Sequence, residues 1–248
     1  MIDTHAHLDA LDDTDAAVAR ACEAGVTRIL TVGTDVAGCR RALELAEQHD
    51  GVFAILGIHP HEAGNATAAD VDEVRALLDH PRAVGVGEMG LDWFRDYAPP
   101  DKQRRLFAQE LELAAETGKP AVIHTRAADD DTLAALAGFV GRVVLHCFSS
   151  PHLLATALER GWYVSFAGNV TYKNAVDLRL AATQVPADRI LAETDCPYLA
   201  PQAVRGQRNE PAYVVHTVAA LAQARGEEAD ELTAQIERNA ADCFGLPA

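Results

Sequence analysis

Eight short apolar, β-branched runs punctuate the chain: MIDTH, RILTVG, VFAILGIH, AVGVGE, PAVIH, RVVLH, WYVSF and RILAET. Between them lie longer stretches with helical spacing, among them DTDAAVARACEAG, RRALELAEQH, AADVDEVRALLDH and KQRRLFAQELELAAETG. Strands that alternate with amphipathic helices imply parallel β-α-β units. Eight such units in 248 residues is the number that closes a (β/α)8 barrel. An open doubly wound sheet uses the same units, and periodicity alone does not separate the two. A glycine-rich phosphate turn would favour the open sheet. GVGEMG sets Gly85, Gly87 and Gly90 around Glu88, which makes it a poor dinucleotide turn, and no P-loop follows any run. The expectation is an α/β chain, a (β/α)8 TIM barrel forming a single domain over residues 1–248, with two closing helices in 211–246.

The polar residues fall in a pattern that this architecture makes meaningful. Asp3, His5 and His7 alternate, so an extended strand would project them from one face. His59 follows the third run, Glu88 the fourth, His124 the fifth and His146 the sixth, while Glu193 and Asp195 follow the eighth. A single histidine at a strand end is ordinarily a satisfied structural residue. Several in the same sense, at the C-terminal ends where barrels build their sites, are the ingredients of a metal centre.

A net charge of −16 argues against a surface that coats duplex DNA, because phosphate-tracking faces need clustered Lys and Arg. A phosphodiester substrate stays compatible, since bound cations reverse the local field. No apolar run reaches membrane-spanning length, and a motif beginning at Asp3 leaves no room for a leader peptide, so a cytoplasmic protein with no membrane partner is expected. Cys22, Cys39, Cys147, Cys196 and Cys243 lack C-x-x-C spacing and read as reduced thiols.

IDTHAHLD, GIHPH, GEMGLDW, PAVIHTRAADDD, HCFSS, ETDCPYLAP and RNEP resemble the successive signatures of the TatD family of metal-dependent hydrolases. The likeness runs in order from residue 2 to about 210, and RNAADCFGL at the end is similar as well. It implies a barrel of the amidohydrolase superfamily with a dinuclear metal centre and deoxyribonuclease activity. Carried over residue by residue, it gives one cation His5, His7, Glu88 and Asp195, and the other Glu88, His124 and His146, with Glu88 bridging. Ala127 stands where the family usually has an acid.

Such a centre would activate water for phosphodiester hydrolysis, with Asp195 and Glu88 as catalytic carboxylates. Imidazole-rich ligation suits tightly held Zn, Mn, Fe or Ni, with Mg as an activator. Glu193 has two readings, a further ligand or a residue orienting a histidine. Candidate substrate contacts are Arg126, whose alternative is an ion pair with Asp129, Asp130 or Asp131, together with His59, Arg208, Asn209 and Glu210; His59 and His61 could contact phosphate or hold an extra cation, with a plain loop histidine the better reading for His61 than for His59. The acidic chain and rim aromatics such as Trp93, Phe94, Phe148, Tyr172 and Tyr198 favour DNA ends or short oligonucleotides, and the family resemblance implies attack from the 3′ side by a 3′-5′ exonuclease. The resemblance also implies the alternative, removal of a D-aminoacyl group from tRNA on the same centre; a noncatalytic metal-binding barrel is a third reading, and no obligate protein partner is inferred.

Overall fold

The structure, a computed structural model, describes residues 1–247. Strands and helices alternate as β1 (Ile2–Ala6), α1 (Thr14–Glu23), β2 (Arg28–Gly33), α2 (Val36–Gln48), β3 (Val52–Leu56), α3 (Ala68–Leu77), β4 (Ala83–Asp92) and α4 (Pro100–Thr117). The second half continues as β5 (Ala121–Arg126), α5 (Asp129–Leu136), β6 (Val143–Leu145), α6 (Leu154–Glu159), β7 (Tyr163–Phe166), α7 (Val176–Gln184) and β8 (Ile190–Ala192), and closes with α8 (Val214–Arg225) and α9 (Ala229–Phe244). The strands follow chain order, β1 to β8, in one sheet, and every described pairing is parallel. This is a (β/α)8 barrel fold, and α8 and α9 are the two expected terminal helices.

Backbone contacts divide the chain into two units, one containing Met1–Thr31 and the segment from His146 onward, the other Val32–Leu145. In the first, β8 lies beside β1. Thr4 donates its hydroxyl to the Ala192 carbonyl at 3.0 Å, the Asp195 N–H reaches the His5 carbonyl at 2.9 Å, and the His7 N–H reaches that of Cys196 at 2.9 Å. Asp3 is buried and fastens the same seam, accepting the Thr194 N–H at 2.8 Å and the Thr194 hydroxyl at 2.5 Å. Burial pushes its carboxyl up to about 8, against these hydrogen bonds.

In the second unit β3, β4 and β5 pack beneath α2 and α4, whose Ala42, Leu45, Leu106, Phe107 and Leu113 are buried with Ile55, Leu56, Met89 and Ile123. The strands differ in length from their apolar runs. β3 stops at Leu56 because the Ile58 N–H turns to the Glu110 carboxyl oxygen at 2.7 Å, leaving His59 in a loop. β4 and β5 run on through their polar residues, with Gly90 opposite His124 and Asp92 opposite Arg126. Glu88 and His124 therefore lie inside strands. The pairing slips between Val86 and Met89, a bulge that re-aims the intervening side chain. Gly90, at φ +140°, allows this approach: a Cβ there would fall 2.0 Å from the His124 carbonyl oxygen.

Candidate metal centre

The first unit gathers its polar residues where β1, β6 and β8 end. His5 and His146 stack with ring centres 3.9 Å apart and planes 19° from parallel. Asp195 sends Oδ1 to within 3.4 Å of His7 Nε2 and 4.0 Å of His5 Nε2. His5, His146 and Asp195 each offer a donor atom within 4.8 Å of the others. Asp195 holds φ +54°, a left-handed conformation that short polar side chains tolerate best. Burial opposes its ionisation, but the His7 hydrogen bond and the neighbouring imidazoles outweigh that and keep the carboxyl below its ordinary value.

Glu193 emerges as the group that orients His146. Its Oε1 accepts the His146 Nδ1–H at 3.0 Å and the Cys147 N–H at 2.7 Å, and its Oε2 accepts the Ser165 hydroxyl at 2.5 Å. With Nδ1 occupied, His146 turns Nε2 outward as a donor, the arrangement by which carboxylates set the tautomer of metal-binding histidines.

The second unit repeats this device. His124 places Nδ1 at 2.7 Å from Glu88 Oε1 and Nε2 at 3.1 Å from Asp92 Oδ2. Asp92 is 1% exposed, also receives His61 Nε2 at 2.9 Å, and accepts the N–H groups of Phe94 and Arg95 at 2.9 Å each. Burial works against its charge, yet the hydrogen bonds of His124, His61 and Arg95 hold its carboxyl far below the usual range. Gln103 clamps the Asp92 backbone from α4, accepting its N–H at 2.9 Å. Neither Asp92 nor Gln103 was singled out by the strand-end pattern. Asp92 did carry a signal, as the acid of GEMGLDW on the same strand as Glu88; Gln103 had none.

His59, His61 and His124 also converge within ligand distance, but the tautomer of His59 speaks against a cation there. Its Nδ1 accepts the His61 N–H at 3.1 Å, so in the neutral ring the proton sits on Nε2, 3.4 Å from Glu88 Oε1. Burial pushes His59 down to about 4 despite Glu88. His59 is therefore a neutral N–H donor at neutral pH.

The remaining candidates are placed as follows. Arg126 stacks on Phe94, its guanidinium carbon 3.9 Å from the ring centre, while Asp131 pairs instead with Arg104 at 3.1 Å and Trp93 Nε1 at 2.9 Å. Arg208 binds Asp12 at 2.8 Å and the Ala10 carbonyl. Asn209 is buried and donates to the carbonyls of Thr194 and Tyr198 at 2.9 and 2.6 Å. Glu210 receives Arg20 in a two-pronged ion pair. These last three hold the loop after β8 in place.

The donor chemistry fits cations. Two histidines have one nitrogen fixed by a carboxylate, and the carboxyls of Asp92 and Asp195 are held below their ordinary range. The family profile described as TatD related DNase matches residues 2–245. The chain belongs to the TatD family. A TatD metal-dependent hydrolase of Mycobacterium tuberculosis is 40% identical over 99% of this chain and 98% of its own length. A 3′-5′ ssDNA/RNA exonuclease TatD of Enterobacter lignolyticus is 36% identical over 94% of each. Among solved structures, the TatD homologue YjjV of Escherichia coli superposes with a TM-score of 0.94 at 30% identity, covering 100% of this chain and 98% of that one. The protein is accordingly a metal-dependent hydrolase acting on ester bonds, with clustered His, Glu and Asp side chains able to bind metal ions. The candidate ligands in this TatD barrel stand at the C-terminal ends of β1, β6 and β8 and in the C-terminal halves of β4 and β5.

Proposed function

We propose that His5, His7, Glu88, His124, His146 and Asp195 hold two divalent cations with Glu88 shared, and that the protein, as a single barrel domain, removes nucleotides from the 3′ end of single-stranded DNA or RNA. The observation that carries this reading is the pair of carboxylate-oriented imidazoles, Glu193 on His146 and Asp92 on His124. Elaborate fixing of this kind has its use where the opposite ring nitrogen must meet a cation. Membership of the TatD family and the exonuclease named in Enterobacter lignolyticus direct the reading to nucleic acid. Four imidazoles with two carboxylates favour Zn, Mn, Fe or Ni, with Mg as an activator.

When bound, such cations polarise the phosphoryl group and supply the attacking nucleophile at neutral pH. The chain's own groups do the rest. Asp195, held ionised, takes the proton of the attacking water on a carboxylate oxygen. His59 offers Nε2–H to a phosphate oxygen, and Arg126 on Phe94 presents a cation flanked by an aromatic face. Arg208, Asn209 and Glu210 serve the substrate by fixing the loop that carries Tyr198. Incubation with 3′-labelled single-stranded DNA and RNA, and with aminoacylated tRNA, with and without chelator, tests the proposal. Chelator-sensitive release of labelled mononucleotide is expected. Deacylation of tRNA without strand shortening contradicts it in favour of the ester reading, and no chelator-sensitive cleavage of any substrate contradicts both.

A further inference from the structure

The first unit contains a cleft of about 700 Å³, within the roughly 300–1,000 Å³ typical of ligand sites. Its upper end is the turn after β7 and the loop after β8; its walls are α7 and α8. Lys173, Val176, Arg179, Leu180, His216 and Ala220 are among its lining residues, and Val176 and Leu180 are 53% and 56% exposed. An apolar floor alone identifies no occupant. The charge around it does.

The chain carries 37 acidic against 21 basic residues, yet no carboxylate lines this cleft among the described residues. α8 has no acidic residue, and residues 196–209 have none. Arg179 donates to the carbonyls of Val170 and Tyr172 at 2.9 and 2.7 Å and to that of Lys173 at 3.3 Å. These partners are neutral, so the guanidinium keeps its full charge in a half-buried position. Lys173 adds a second cation at the mouth. A polyanion is the occupant for which this field is complementary.

Aromatic side chains connect the cleft with the candidate metal centre inside the same unit. Tyr198, 60% exposed, stands with its ring 6.0 Å from that of His7. Tyr172 bonds through its hydroxyl to the Ala200 carbonyl at 3.2 Å and carries the Arg205 guanidinium 4.2 Å over its ring. Aromatic faces interleaved with unpaired cations are how proteins hold single strands without reading their sequence.

We propose that this cleft is the seat of the substrate strand beyond the reacting end: a single-stranded nucleic acid passes Tyr198, lies across Tyr172 and Arg205, and enters between α7 and α8, where Lys173 and Arg179 face its phosphates. The proposal rests on the exonuclease reading and adds to it a binding track that governs length preference. The apolar floor takes sugar and base surface, and the cations act on the backbone, so binding is independent of sequence.

The test compares a twelve-nucleotide strand with a dinucleotide for the wild type, Lys173→Glu with Arg205→Glu, and Leu180→Glu. Hydrolysis, fluorescence anisotropy of the labelled strand and sedimentation are recorded, with melting temperature as a check on folding. The expected result is a rise of about tenfold or more in KM and Kd for the long strand, the size of losing about one stacked base, with dinucleotide hydrolysis unchanged. Equal losses on both substrates, or none on the long strand, overturn the proposal. A change in sedimenting mass for Leu180→Glu without a change in strand affinity also overturns it, by assigning the cleft to a second copy of the chain. If no strand is cleaved but anisotropy still depends on Lys173 and Arg205, the exonuclease reading falls and the cleft stands.

Discussion

Asp92 shows how much one buried carboxylate can fix. It receives two imidazoles and two backbone N–H groups, so replacing it unsettles His124 and His61 together. Asp92→Asn keeps the shape but loses the charge that favours the His124 Nε2–H tautomer. The expected outcome is a 10–100-fold loss of metal affinity, measured by metal titration against a competing chelator, with some loss of melting temperature because the amide keeps only one of the two acceptor oxygens. Unaltered affinity would show that Asp92 is structural only.

Glu110 makes a prediction of the opposite kind. Burial pushes its carboxyl well above the ordinary 4.5, only partly offset by the Ile58 N–H. Above that pH the unfolded chain releases the proton while the folded protein retains it. The stability it confers is therefore complete below pH 4.5 and is lost as pH rises toward the folded value, by up to about 1.4 kcal/mol per pH unit. Glu110→Gln removes the ionisation, so denaturant titrations from pH 4.5 upward should show the variant gaining on the wild type as pH rises. A pH-independent difference would mean that Glu110 ionises normally.

At the scale of elements, α4 supports the segments that carry the candidate ligands of the second unit through two polar side chains, Gln103 bonded to the Asp92 N–H and Glu110 to the Ile58 N–H. The β4 to β5 contact is equally exacting. Gly90→Ala would combine a disfavoured φ, worth about 1–3 kcal/mol, with a collision against the strand that carries His124. Loss of both stability and metal binding is expected, measured by chemical denaturation and metal content; a variant with wild-type values would mean that β5 yields. On the outer surface, Thr67 and Asp70 form a reciprocal cap on α3, with bonds of 2.8 and 3.3 Å. Thr67→Ala should cost about 1 kcal/mol and leave hydrolysis intact.

These elements also explain what was legible from sequence. Eight apolar runs located all eight strands, because burial on both faces demands continuous Val, Ile, Leu and Ala. Their ends were less legible. β4 continues past Glu88 because Met89, Gly90 and Leu91 keep pairing with β5, and pairing is a property of two segments at once. His59 left its strand because a glutamate 52 residues beyond Ile58 captured the Ile58 N–H. Candidate ligands at strand ends could be found because strand direction alone puts them there. Glu193 had a place in that pattern but two open readings, and contacts with His146, Cys147 and Ser165 assign it to orientation.

For the molecule as a whole, an acidic chain with a restricted cationic track implies few phosphate contacts. Each contact contributes a salt slope of about −0.7 for a single strand, so a shallow logarithmic dependence, of roughly two to three contacts, is expected for strand binding between 50 and 200 mM salt; a steep slope would indicate a long basic groove. The account depends most on the ligand set. Anomalous scattering from metal-loaded crystals tests it directly. Two peaks are predicted, one against His5, His7 and Asp195, one against His124 and His146, with Glu88 touching both. A single peak, or peaks held by other side chains, would contradict the dinuclear centre.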